Sequence, residues 1–247
     1  MVRAIARILA LAAAAAAAPS ALAAQPAAAP LTLTLHYEGR LHVKVLEARS
    51  DHVVERTRFR AGARVKSAGA LGFIKPYSIL AQSTGAVAAG RPLARRFTQA
   101  EGRKQRAVAF PQKDGSADPL TQILGLMLTP ASGNPCRGRL AFFDGKQRYD
   151  LTFAPAGAGR LLRSQQGLKL GPAVRCRLTF HPIRGLGGSR RKSPVLTGEA
   201  FATFARAPAA DVWVLTDVAI GTVVGQAHVS LSGLSTRGSR AAALGAR

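Results

Sequence analysis

Leu31-Thr32-Leu33-Thr34-Leu35-His36-Tyr37-Glu38, a break at Gly39-Arg40, then Leu41-His42-Val43-Lys44-Val45: apolar and polar residues alternate on both sides of a turn signal. In a strand, successive side chains point to opposite faces, so this period of two gives one apolar and one polar face. Two such runs about a glycine predict an opening β-hairpin. The pattern persists outward. His52 to Arg60 reads as a third strand, with Val54, Arg56, Arg58 and Arg60 on one face and Val53, Glu55, Thr57 and Phe59 on the other. The glycine-rich stretch 62–72 leaves room for a fourth over Arg64–Ser67. Ser78–Thr84, Leu93–Thr98 and Lys104–Phe110 follow. Further on, Arg139–Phe143 and Gln147–Phe153 flank Asp144-Gly145, a hairpin signature, and Pro155–Gly159 reads as a loop. Ala173–His181 sets Val174, Cys176, Leu178 and Phe180 against Arg175, Arg177, Thr179 and His181. Ala200–Phe204, Val212–Ala219 and Thr222–Leu231 complete the set. Short strands at this spacing predict an all-β sandwich, barrel or curved sheet.

One segment departs from the alternation. Asp118-Pro119-Leu120 opens a run to Leu128 in which Leu120, Ile123, Leu124, Met127 and Leu128 follow helical spacing. Asp118 suits the N-cap because its carboxylate accepts from orphan amides, and Pro119 suits the first turn because its missing N–H costs nothing there. Thr129-Pro130 ends the run.

The first 23 residues read as a cleaved secretory signal. Arg3 and Arg7 form the basic start, Ile8–Ala18 the apolar stretch, and Ala21-Leu22-Ala23 the small-residue cleavage pattern. Residues 24–30 read as a disordered Ala/Pro lead-in, 31–234 as a single domain, and 235–247 as a flexible tail. Export places the mature chain outside the cytosol, in an oxidising compartment. There an even pair of cysteines, Cys136 and Cys176, reads as one disulfide.

The chain carries 35 Lys and Arg against 12 Asp and Glu, a formal charge of +23. Such an excess reads either as a surface for an anionic partner or as a compositional habit. The cations are scattered, apart from Arg190-Arg191-Lys192 with Arg184 upstream, and no aromatics interleave with them to stack bases. With export, this argues against nucleic acid and leaves an anionic membrane face as the best partner of that kind. The five histidines show no metal-ligand spacing, and there is no serine-nucleophile elbow or nucleotide loop. No metal, cofactor or catalytic residue is assigned. Asp144 reads as a turn residue and Asp150 as the ion-pair partner of a basic neighbour, so paired-carboxylate chemistry is not expected.

Several landmarks occur together: Gly69, Gly72 and Ser83-Thr84-Gly85; Asp118-Pro119-Leu120; Cys136; Phe143-Asp144-Gly145-Lys146-Gln147-Arg148-Tyr149-Asp150-Leu151; Gly171, Cys176, Pro182-Ile183 and Gly185; and, more loosely, Trp213 and Thr222–Gly225. In these the chain resembles the bacterial exported family called domain of unknown function 3108. It departs at Leu93-Ala94, where a leucine-proline pair is expected, and in its basic 190–192 insertion. The resemblance implies an envelope protein of the bacterial periplasm without an assigned reaction, with a strongly curved antiparallel sheet or half-barrel of about 10–12 strands and one short helix packed on it; no enzymatic activity is expected. The helix reads equally as a plug for the concave face or as a lid over an apolar cavity. Two functions follow: a binder of a hydrophobic or lipidic ligand held between sheet and helix, or an envelope scaffold docking through a basic surface on anionic membrane or acidic proteins. Asp118, Pro119, Asp144, Gly145, Arg148, Tyr149 and Asp150 are the family-motif residues, either structural or ligand-facing. The sequence carries no signal for oligomeric state.

Overall fold

The computed structural model describes residues 29–74, 76–182, 199–222 and 225–245. The expected signal peptide, the Arg184 and 190–192 cations, Ile183 and Gly185 lie outside the described residues.

Twelve antiparallel strands form one sheet. The first six are β1 (Leu31–Leu41), β2 (Val43–Val54), β3 (Arg58–Ser67), β4 (Ser78–Ala88), β5 (Arg91–Glu101) and β6 (Lys104–Ala109), with helix α1 (Gly69–Ile74) between β3 and β4. Helix α2 (Pro119–Met127) follows. Then come β7 (Gly138–Phe143), β8 (Arg148–Ala158), β9 (Ala173–Pro182), β10 (Ala200–Ala207), β11 (Val212–Thr222), β12 (Gly225–Arg237) and helix α3 (Arg240–Leu244). Each half is a meander. The halves join where β1 pairs with β12, so the order runs β6-β5-β4-β3-β2-β1-β12-β11-β10-β9-β8-β7 and the two edges are β6 and β7. This is the all-β, curved, unclosed sheet that the sequence predicts, carrying three short α-helices among the described residues where one was expected.

The alternation of the opening strand becomes burial. Leu31, Leu33 and Leu35 are fully buried, and their register partners on β2 include Val54 and His52, also on the inner face. The core gathers these leucines with Phe59, Ala61, Val87, Val212, Val214 and Leu231. Helix α2 lies inside the sheet and packs against β3, β4, β5, β7 and β11. Leu124, Met127 and Leu128 enter the main core. Leu126, off the expected stripe, enters a second cluster with Cys136, Phe153, Cys176, Ala202, Phe204 and Trp213. Every residue of α2 is buried or half-buried. A helix covered all round is a core element and not a surface one.

Several boundaries differ from expectation. The first hairpin turns at His42, in the left-handed region (φ 63°), not at Gly39-Arg40. Gly39 lies within β1 beside a bulge; a Cβ there would sit 2.7 Å from Leu46, so its glycine serves a close approach. The stretch 52–60 is not one strand. It straddles the β2–β3 turn, where the Glu55 amide donates to the Arg58 carbonyl at 2.9 Å and the two side chains pair. No Gly, Pro or Asn marks that turn. Arg64–Ser67 is the second half of β3. Pro155 stays in β8, opposite Cys176, because a bulge between Pro155 and Ala158 absorbs it. The expected loose tail is also corrected. β12 runs to Arg237, paired along β1 from Thr32, and Ser239 caps α3 by accepting from the Ala242 amide at 3.2 Å. Ala243 is fully buried, since small helix-forming alanines pack closely there.

Candidate functional site

Two groupings stand out: the residues that close the open side of the sheet, and a basic pocket on its outer face.

The edges β6 and β7 share no ladder, and the segment after β6 crosses between them. Ala117 makes two main-chain bonds with β7: its amide donates to Ala141 O at 3.1 Å and its carbonyl accepts from the Phe143 amide at 3.0 Å. Asp118 then caps α2. It is fully buried and accepts from the Thr121 amide (3.0 Å), the Thr121 hydroxyl (2.6 Å) and the Ser83 hydroxyl on β4 (2.8 Å). Burial raises its carboxyl above the usual range, against the pull of these hydrogen bonds. Pro119 occupies the first turn of the helix. Gly85, two residues beyond Ser83, admits no side chain: a Cβ would lie 2.0 Å from Leu93 O and 2.5 Å from the Phe59 ring.

The block Phe143–Leu151 forms the opposite wall. Asp144 accepts from the amides of Lys146 (2.8 Å) and Gln147 (2.7 Å), closing the β7–β8 turn, and Gly145 takes φ 84° against the Val108 side chain on β6. Arg148 pairs with Asp114, bonds Gln112 Oε1 at 2.9 Å, and lies over the Phe143 ring at 4.5 Å. It thereby holds the crossing segment to the hairpin. Tyr149 stacks on Phe142 at 5.1 Å, and burial pushes its hydroxyl up to about 12. Asp150 takes Arg139 on the neighbouring strand, with Nε–Oδ2 at 2.6 Å. Its Oδ1 is buried without a hydrogen-bond partner among the described residues. Asp144 and Asp150 therefore serve separate partners. His181, in register with Asp150, meets the Thr152 hydroxyl at 3.1 Å. The structure thus brings the predicted motif residues to one seam and gives each a structural partner.

Cys136 and Cys176 are bonded, with their Cα atoms 5.0 Å apart, and tie the α2–β7 connection to β9. The pair is compatible with an oxidising compartment.

The second grouping was not singled out in the sequence. A half-open pocket of about 360 Å³ lies on the outer face of β1, β2, β3 and β12, lined by His36, Glu38, Lys44, Glu47, Arg49, Arg64, Lys66 and Ser232 among others. Register explains the gathering: His36 faces Arg49, which faces Arg64, while Glu38 faces Glu47, which faces Lys66. Lys44 bridges Glu38 (3.0 Å) and Glu47 (2.7 Å), and Lys66 holds Glu47 from the other side at 2.8 Å. These two ammonium groups depress the Glu47 carboxyl to about 2. Arg64 makes no ion pair with them. Basic side chains continue across the same face. Arg60 lies in register with Thr84 and, through it, with Arg96. The signal was present in the alternating arginines of 56–66, hidden by the misplaced turn.

No family model matches the chain, and no curated protein matches it, so the resemblance to domain of unknown function 3108 rests on the quoted residues alone. Among solved structures the chain is similar to a beta-barrel-like protein of domain of unknown function DUF1849 from Brucella abortus. The two share 9% identity with a TM-score of 0.46, over 84% of this chain and 98% of that one.

Carboxylate use completes the electrostatics. Glu38, Glu47, Asp51, Glu55, Glu101, Asp114, Asp150, Glu199 and Asp211 sit in ion pairs within the molecule, and Asp217 accepts from the Ser230 hydroxyl at 2.6 Å. The remaining two of the 12 acidic residues, Asp118 and Asp144, cap backbone amides. Every carboxylate is thus engaged, while Arg60, Arg64 and Arg96 stay exposed.

Proposed function

We propose that this is a non-catalytic protein of the bacterial periplasm that works through its basic outer face, docking on an anionic membrane surface. One observation carries the reading: every carboxylate is engaged within the molecule, while Arg60, Arg64 and Arg96 lie exposed on one continuous face. Surplus cations attract anionic lipid by about 1 kcal/mol each near a charged surface. The alternative, a hydrophobic ligand between sheet and helix, requires α2 to withdraw, because Leu124, Met127 and Leu128 already occupy the concave face. Surface docking requires no rearrangement.

The test is sedimentation with vesicles of phosphatidylcholine, with and without phosphatidylglycerol, across a salt series. Binding only to the anionic vesicles, weakening as salt rises, is the expected result. Native mass spectrometry of freshly purified protein addresses the alternative: a co-purified lipid mass in protein that ignores vesicles would overturn the docking reading.

A further inference from the structure

The corner around α1 carries an unusual surface. Phe73 is 92% exposed and Ile74 82%, with Val43 (61%) at the start of β2 and Tyr77 (42%) shortly after the helix. Two of the eight large apolar side chains exposed among the described residues therefore stand side by side on one short helix. Scattered single apolar residues are ordinary on a surface, but a cluster marks an interaction site.

The corner is held firmly. The Ala68 amide donates to Val45 O at 3.0 Å, and the Ser67 amide donates to Tyr77 O at 2.9 Å. The Tyr77 amide returns to the Ser67 hydroxyl at 2.9 Å. Gly69 takes φ 57° where a Cβ would meet Lys44 O at 2.5 Å, so the chain leaves β3 by a route only glycine permits. These bonds tie the strand ends on either side of α1, the helix that carries Phe73 and Ile74.

Its surroundings are cationic. Lys44 and Lys66 of the outer-face pocket flank α1 on β2 and β3. Arg103 lies in the β5–β6 turn and Lys104 opens β6 opposite Glu101, which also faces Ile79 near the start of β4. Leu80, exposed on the outer face, stands in register with Arg64. Apolar and aromatic side chains ringed by lysine and arginine form the pattern of a protein that lies in a membrane interface.

Building on the docking reading above, we propose that the α1 corner is the element that enters the bilayer: Phe73 and Ile74 reach the acyl boundary, Tyr77 rests at the head groups, and Arg64, Arg103 and Lys104 face anionic lipid phosphates.

The chain has a single tryptophan, Trp213, which is buried. Phe73→Trp therefore adds a reporter whose signal stands apart from an unchanging background. On vesicles containing phosphatidylglycerol its emission should shift to the blue and be quenched by brominated acyl chains, with neither change on pure phosphatidylcholine. Phe73→Ser/Ile74→Ser, with an unchanged melting temperature, should bind anionic vesicles at least about tenfold more weakly at about 0.15 M salt, where screening leaves insertion to carry the affinity. If wild type binds these vesicles but the Phe73→Trp emission does not move, or the double variant binds equally well, the insertion site is wrong and electrostatic docking stands. If wild type fails to bind anionic vesicles at any salt, both proposals fall. Binding of acidic proteins that depends on Phe73 and Ile74, without any vesicle binding, overturns the membrane assignment.

Discussion

The two half-sheets meet twice, and the two joints are built differently. At β1 and β12 the joint is a backbone ladder from Thr32–Arg237 to Arg40–His228, with Leu31, Leu33, Leu35 and Leu231 buried beneath it. At β6 and β7 the edges share no ladder. There the joint consists of the crossing segment, the Ser83–Asp118–Thr121 hydrogen bonds, Arg148 on Asp114, and the body of α2. A ladder uses groups that every residue owns, so it asks only for alternation. A side-chain joint asks for particular residues. This is why Ser83, Asp118, Asp144, Gly145 and Arg148 gather at the second joint, while the first is built from an undistinguished run of leucine and threonine.

The comparison can be broken in graded steps. The largest effect belongs to the disulfide, which staples the side-chain joint to β9. Its reduction, or Cys136→Ser/Cys176→Ser, should lower stability by about 4 kcal/mol for a loop closed over 40 residues. Urea unfolding with and without reductant measures this. Hydrogen exchange should show β7–β9 losing protection before the β1–β12 ladder.

Next is acid, which attacks the other joint. His52 is buried against β1, opposite Leu33, and burial depresses its imidazole from 6.5 to about 4. The unfolded chain therefore binds this proton first. The stability given by the neutral ring is complete above about pH 6.5 and drains away as pH falls towards 4, by roughly 3 kcal/mol in all. A His52→Gln variant should lack that slope in urea midpoints measured between pH 7 and pH 4.

Asp118→Ala should cost about 2 kcal/mol, through the lost cap and the stranded Ser83 and Thr121 hydroxyls. Asp118→Asn keeps an acceptor for the Thr121 amide and should cost less than half as much in a thermal melt. If Asn proves as damaging as Ala, the cap is not the reason for the acid.

The smallest effect is Arg148→Ala. Its pair with Asp114 is partly exposed, so under about 1 kcal/mol is expected. Proteolysis within 110–117 should nonetheless quicken, because the crossing segment loses its clamp.

Much of this was legible before any coordinates. Leu31–Leu35 announced the inner face, Asp118-Pro119 announced the helix, Asp144-Gly145 the hairpin, and two cysteines their bond. What could not be read was whatever depends on partners distant in the chain. The β2–β3 turn carries none of the usual turn residues and is closed by Glu55 and Arg58. Leu126 lay off the helical stripe because a plug is contacted from every side, which a single amphipathic pattern cannot encode. The tail looked idle because its role, extending the ladder beside β1, is written in the first strand. The outer-face pocket was invisible for the same reason: its cations come from strands whose register the sequence does not state.

The pairing of the first strand with the last also sets a timetable. Pro30 and Gly238 touch, since a Cβ at Gly238 would lie only 2.5 Å from Pro30 O, so the start of β1 and the end of β12 close on each other. β1 pairs at once with β2, but its other edge waits for β12, about two hundred residues later, and such long-range pairing is slow. Until then Leu31–Leu41 presents a bare, half-apolar edge, and a chain cut short before Gly225 never covers it. Such fragments should seek one another and aggregate.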